Sequence, residues 1–206
     1  MNIFILDYDI DKCAAYHIDK HIIKMPLEAA QMLCTTIFID KYLGYVPRNL
    51  DKEEREVIRK EADKVRDLIP EDRPIPYLPT HVNHPCTIWA RVSLENFNWL
   101  YCYAHALNDE YHYRYGGKCH KAVKAISDME FWPTRLPDIG LTPFAQAMPD
   151  CFKSSDVSEA YRQYYAMKTT YMKLEWRYTE TPDWWTSELI QESVNAYQEF
   201  QLQTAS

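Results

Sequence analysis

Apolar residues recur every three or four positions along most of the chain, and that rhythm predicts helices. Ala14, Ile18, Ile22, Met25, Ala29 and Leu33 form one such stripe, within a helix expected from about Asp9 to about Tyr42. Pro26 lies inside it; proline removes a backbone donor and crowds the preceding turn, so a kink or break is expected near Ile22 to Met25. Ile58, Ala62, Val65 and Leu68 mark an amphipathic outer helix within Asp51 to Leu68. Helical spacing returns from Pro85 to about Tyr113, with a shorter helix around Lys118 to Ser127. Two more are expected at Val157 to Trp176 and Pro182 to Gln201, the last with Thr181 as N-cap and Pro182 at the first helical position. Only "NIFILD" (Asn2 to Asp7) reads as a strand. Proline-rich connections run from Pro70 to Pro85 and from Phe131 to Asp150, and long ordered loops tend to carry function. The expected fold class is mainly α: one bundle-like helical domain over residues 1–206 with a short N-terminal β-strand. Residues 45–80 form an inserted charged helix and proline-rich loop.

Composition supports this outline. The 206 residues are 47% hydrophobic and include only four glycines, which disfavours both disorder and a turn-rich β architecture. A net charge of −7 argues against a broad footprint on duplex nucleic acid but leaves room for a local basic pocket. No uninterrupted apolar run approaches the roughly 18 residues of a membrane span. The N-terminus lacks the basic and apolar regions of a secretory signal, so a cytoplasmic protein without a membrane partner is expected. Cys13, Cys34, Cys86, Cys102, Cys119 and Cys151 are scattered with no CxxC pair, as expected of reduced thiols.

Candidate chemistry begins in "YHIDKHIIKMPLEAAQ", where His17, His21, Lys24, Glu28 and Gln31 share one helical face. Histidines four apart can meet a metal, but the HExxH glutamate is absent and Lys24 would repel a cation, so no metal is assigned. His17, Lys20, His21 and Lys24 suit an anion better. The plain alternative is a solvated face with Lys24 and Glu28 as an i,i+4 pair. In "PTHVNHPCTIWAR", Pro85 leaves Asn83 or His84 as N-cap. The free amides of Cys86 and Thr87, with His81, Asn83 and His84 beside them, would form a second anion site. Arg91, Glu95, Asn98, Cys102, His105, Asp109 and His112 continue as a polar stripe, either an inward groove or an exposed face. Arg114, Lys118 and His120 surround the Gly116–Gly117 pair, which as a helix end needs no ligand. Tyr161, Tyr165, Lys168 and Met172 share a face flanked by Arg162 and Tyr164; this could stack a base, but helix packing is the commoner use. No phosphate-loop, dinucleotide, nucleophile-elbow or kinase motif is present, and no cofactor is called for.

The blocks "MNIFILDYD", "HIDKHIIKMPLEAAQML", "PTHVNHPCTIWAR", "DEYHYRYGGKCHK", "LTPFAQAMPD" and "AYRQYYAMK" resemble a family of small, mostly uncharacterised bacteriophage proteins. They cover most of the chain except Asp51 to Leu68, which looks like a variable insertion. Pro26 departs from the apolar helix residue expected there. The resemblance implies a phage protein made in a bacterial host, with nucleotide or DNA-modification metabolism as its setting. Residues and resemblance together lead to an expected enzyme acting on a nucleotide or a pyrimidine base in DNA, a hypermodification transferase or a glycosylase-like hydrolase. Lys20, Lys24, Arg91 and Arg114 would hold phosphate or carboxylate, alongside His81, Asn83, His84 and Glu95. His17 or His21 would be the acid or base, oriented by Glu28 or Asp109. The alternatives are a non-enzymatic binder of a host factor or nucleotide signal, and a histidine-dependent metal hydrolase.

Overall fold

The computed structural model describes residues 1–204, save the side chain of Glu71. Among the described residues there are eight α-helices: α1 Ile10–Ala15, α2 Asp19–Tyr42, α3 Lys52–Asp63, α4 Pro85–Ala90, α5 Leu94–Arg114, α6 Lys121–Ser127, α7 Val157–Met167 and α8 Ser187–Thr204. The centre is α2 packed on α5, with α1, α4 and α6 against that pair and α7 against α8. By length and composition α2 could cross a membrane, and 78% of its most apolar window is buried inside this molecule. The mainly α expectation holds.

The N-terminal strand does not form: among the described residues there is no strand. The segment is core nonetheless, with Ile3, Phe4, Ile5 and Leu6 buried. Side chains replace the missing ladder. Asn2 N–H donates to Glu28 Oε2 at 2.9 Å, Leu6 N–H reaches Cys13 Sγ, and the Leu6 carbonyl accepts from Ser158 Oγ and Arg162 Nε. Buried backbone polar groups need partners, and here the partners lie on helices.

The first helix breaks at Tyr16 to Ile18, earlier than Pro26 suggests, and Pro26 sits inside continuous α2. Three carbonyls freed at the break are satisfied from far along the chain. Arg114 donates to those of Ala15 and His17, and Trp176 Nε1 to that of Tyr16. The first amides of α2 are also taken, Ile18 N–H by the Tyr165 hydroxyl and Asp19 N–H by the Glu175 carbonyl. Tertiary contacts therefore cap a helix whose own N-cap residue, Ile18, cannot do so.

The expected helix from Pro85 to Tyr113 is likewise two helices, divided at Arg91 to Ser93, where the Ser93 hydroxyl caps α5 by accepting from Asn96 N–H. Expected helix ends shift elsewhere. The helix beginning at Val157 ends at Met167 and continues as a 3-10 turn, Lys168–Thr170. The last helix begins at Ser187 with the Thr186 hydroxyl accepting from Leu189 N–H, whereas Pro182 belongs to a preceding turn. The charged helix α3 forms as expected, with a reciprocal capping box between Asp51 and Glu54.

Candidate functional site

Residues from five separate stretches, Ala147 of the second proline-rich connection among them, close around one cleft of about 460 Å³. The first turns of α2 supply Lys20, His21, Lys24 and Glu28; the N-terminal segment supplies Asn2 and Phe4; His84 precedes α4; and Tyr164, Lys168, Tyr171 and Met172 come from the end of α7 and beyond. Lys24 is exposed at the mouth, where it pairs with Glu28 Oε1 at 3.0 Å. Glu28 is buried, and its carboxylate also holds Asn2 N–H, with the Met1 amino group 3.6 Å away. The anticipated i,i+4 pair thus forms, but its carboxylate faces a cleft.

His21 is the best-defined cleft group. Its ring stacks on Phe4 with centroids 5.0 Å apart and planes 15° from parallel. Its Nδ1 lies 2.7 Å from the Tyr165 hydroxyl, which already accepts Ile18 N–H. Among the described residues the hydroxyl proton has no other acceptor than Nδ1, which favours the tautomer with the imidazole proton on Nε2. Burial, with the nearby charges of His17, Lys168 and Lys24, pushes the His21 pKa well below its usual value, so the neutral ring is favoured.

Lys168 enters from the opposite wall. It is only 7% exposed, and no carboxylate among the described residues forms an ion pair with it. Its Nζ donates to the Tyr171 hydroxyl at 2.9 Å and lies 4.1 Å from the Tyr164 ring centroid and 5.1 Å from that of Phe4. Burial first, and then the Lys24 charge, lowers its pKa to about 8, while Glu28 opposes the shift. This residue belonged to a tyrosine-rich stripe read as packing. Tyr161 and Tyr165 on that stripe are indeed core, but Lys168, one more turn along, reaches the cleft.

Several expected site residues have other structural roles. His17 is fully buried, with Nδ1 2.7 Å from the Cys13 carbonyl and Nε2 3.0 Å from the Tyr103 hydroxyl. A carbonyl can only accept, so Nδ1 carries the proton and Nε2 accepts from tyrosine. Both nitrogens are engaged, and burial pulls the ring pKa down to about 4. An acid–base role for His17 has no geometric support. Arg91 does not share this cleft, contrary to the expected convergence of stripes. Its guanidinium is buried at the base of the insertion, donating to the carbonyls of Val46, Arg48 and Val82. Arg114 similarly binds the carbonyls of the α1–α2 break together with Asp19 and Glu110. Glu95 accepts from Gly140 N–H, and Asn83 pairs through both amide atoms with the Leu50 backbone.

The polar stripe on α5 follows its solvated alternative: Asn98, Cys102, Asp109 and His112 are exposed, and Asp109 lies away from the cleft. The expected anion site at the start of α4 also changes character. His84 is the N-cap, and its Nδ1 accepts from Cys86 N–H at 3.2 Å, so that amide is already occupied. The other face of the ring borders the cleft, and burial followed by the Met1 amino charge and His81 lowers its pKa. His81 is exposed, in the left-handed region at φ 48°, with its Nδ1 2.8 Å from the Thr80 hydroxyl.

A second cavity, of about 500 Å³, lies between the proline-rich loop and residues 128–131. Its walls include Asp72, Asp128 and Glu130. Its arginine, Arg73, donates to the carbonyls of Val65, Arg66 and Pro76. That is loop packing with an acidic rim. Among the described residues no three His, Cys, Asp or Glu side chains gather as a metal site.

The cleft around His21 thus combines cationic groups, aromatic walls and a neutral imidazole donor. No family model, curated protein sequence or solved structure matches the chain.

Proposed function

We propose that the protein is an enzyme acting on a nucleotide or a pyrimidine base in DNA, in the DNA-modification setting implied by its resemblance to a family of mostly uncharacterised phage proteins. One observation carries the reading: in a chain of net charge −7, the cleft gathers Lys20, Lys24 and Lys168 around the single carboxylate Glu28. Such a local excess of positive charge favours an anion and steers it inward. Tyr164 and Tyr171 add apolar faces on which a planar ring can stack. Lys20 and Lys24, at the mouth, are placed for a phosphate, while His21 Nε2–H and Lys168 lie deeper, for polar atoms of the ring or its substituent. Transferase chemistry and glycosylase-like hydrolysis both require such a held anion and a nearby proton donor.

The engagement of both His17 nitrogens removes one of the two acid–base candidates, and it favours, as a second reading, a binder of a nucleotide signal. Calorimetric titration with thymidine monophosphate tests the common core. Binding should occur in the micromolar to millimolar range and weaken at least about tenfold on joint replacement of Lys20 and Lys24 by alanine, the loss of about 1.4 kcal/mol. Equal affinity in the double variant would remove the phosphate assignment. Turnover of a modified pyrimidine nucleotide, lost in His21→Ala with fold retained, separates the enzyme from the binder.

A further inference from the structure

We propose that Lys168 is the nucleophile of the cleft, its ε-amine condensing with the carbonyl carbon of a phosphorylated aldehyde or ketone to form an imine. This deepens the reading of the cleft as an anion site for a planar ligand and rests on it. The geometry carries it. Among the described residues Lys168 Nζ forms no ion pair with a carboxylate; it stands on the cleft wall, held by the Tyr171 hydroxyl and by the faces of Phe4 and Tyr164. A lysine kept only for structure usually reaches water or pairs with an acid, as Lys24 does with Glu28. Apolar surroundings that disfavour the ammonium create the free amine that carbonyl chemistry requires. The lowered pKa of about 8 agrees with that placement.

The reaction balances without an oxidant or reductant. The amine lone pair forms the C–N bond as the carbonyl π pair moves onto oxygen. Nitrogen then gives up its protons, oxygen leaves as water, and a C=N bond remains. The groups facing this amine are Tyr164 on α7, which ends just before it, Tyr171 beyond it, and Lys24 and Glu28 across the cleft on α2. Lys20, His21, His84 and the Met1 amino end complete the polar lining. Glu28 favours the ammonium and Lys24 opposes it, so replacing Lys24 should raise the pH at which the amine becomes reactive.

The test uses the whole protein and pyridoxal 5′-phosphate, a planar phosphorylated aldehyde, trapped with borohydride and located by peptide mass mapping. At pH 7.5 an amine of pKa about 8 is roughly a quarter free base, against about a thousandth for an ordinary lysine. Lys168 should therefore be labelled about tenfold or more faster than Lys20, Lys24 or other surface lysines, with a rate midpoint near pH 8. Joint replacement of Lys20 and Lys24 should slow labelling at Lys168 by removing the phosphate contacts. Lys168→Gln should lose the preferential label and weaken thymidine monophosphate binding without abolishing it, because Lys20 and Lys24 still hold the phosphate. Uniform labelling, preferential labelling of Lys24 or the Met1 amino group, or a Lys168 midpoint near 10.5 would each overturn the nucleophile. If nucleotide binding persists in those cases, the proposed function survives the loss. If nucleotide binding is absent while Lys168 alone is labelled, the amine stands and the nucleotide reading falls.

Discussion

Arg91 and Lys168 are both cations withdrawn from water, and the fold treats them in opposite ways. Arg91 is 1% exposed and donates to three backbone carbonyls that tie the loop before α3 to the segment preceding α4. Burial lowers its pKa to about 10, which still leaves it charged at neutral pH. Lys168 is nearly as buried but has one tyrosine hydroxyl and the faces of aromatic rings. A guanidinium with its donors matched to carbonyls is structural cement. An ammonium left short of partners beside a cavity is a group held ready for something else. Sequence alone ranked the arginine as a ligand and the lysine as packing; partner geometry reverses the order.

The largest effect should follow from breaking the arginine. Arg91→Met leaves three buried carbonyls without their donors, and should destabilise the fold by about 3–5 kcal/mol. Denaturant unfolding measures this, and a loss below about 1 kcal/mol would mean that water replaces the guanidinium freely. Lys168→Met should do the reverse. With its folded pKa near 8 against 10.5 in the unfolded chain, Lys168 costs stability throughout the range below pH 8. The unfolded chain holds the extra proton between those values, so stability rises as pH climbs from about 8 to 10.5. Lys168→Met should gain on the order of 2 kcal/mol at pH 7 and lose that alkaline rise. An unchanged alkaline profile would place the amine in contact with water.

His17 and His21 sharpen the same distinction within one turn of chain. Both resist protonation, so each is bound to fewer protons in the folded state than in the unfolded state at mildly acid pH. For His17 this contribution is fully present above about pH 6.5 and is lost as pH falls through that value toward about 4, and His21 shifts in the same direction. Wild-type protein should therefore lose stability over this window, and His17→Gln should flatten part of the loss in a pH series of melts. Tyr103→Phe removes only the donor to His17 Nε2, costing about 1–3 kcal/mol with little change in nucleotide affinity. Tyr165→Phe strips both Ile18 N–H and His21 Nδ1, so it should cost as much stability and also weaken ligand binding by freeing the His21 tautomer. Nitrogen NMR of the imidazoles reads the tautomer directly. Equal ligand affinity in both tyrosine variants would remove His21 from the site.

These contrasts also explain which parts of the molecule were legible in its sequence. Periodicity located the α2, α3, α5 and α7 cores because their apolar stripes are local signals. It joined α1 to α2 because that break is held by Arg114, Trp176 and Tyr165, all distant in sequence, and α4 to α5 because the distant Pro137 carbonyl helps the Ser93 cap there by accepting Leu94 N–H. "NIFILD" had the composition of a strand, but composition says nothing of whether a second strand waits beside it. Within the site, Lys20, His21, Lys24 and Glu28 were legible because helical spacing of three and four fixes a shared face. His84 was found for a different reason, as a helix cap that also borders the cleft. Phe4 and Lys168 were not, since only the packing of α7 and the N-terminal segment against α2 brings them within reach.

The smallest effect belongs to the stripe on α5, and it tests the boundary of the site. Asp109 had the periodicity of an inward carboxylate, in step with Glu95, Cys102 and His105. In the fold α5 turns Tyr103, Ala104, Ala106 and Leu107 into the core and leaves Asp109 exposed, beside Cys102 and His105 on the outer surface. A carboxylate in that position is solvated with or without folding, and removing its charge should shift stability by no more than about 0.5 kcal/mol. Asp109→Asn should also leave thymidine monophosphate affinity and Lys168 labelling unchanged, because no atom of it lines the cleft. Glu28→Gln is the matched contrast: it removes the one carboxylate among the cleft lysines and weakens the hold on Asn2 N–H, so it should alter both readouts. Titration and labelling of the two variants side by side decide the matter. A tenfold loss of affinity in Asp109→Asn would extend the site around α5 and return the stripe to the inward role that its spacing first suggested.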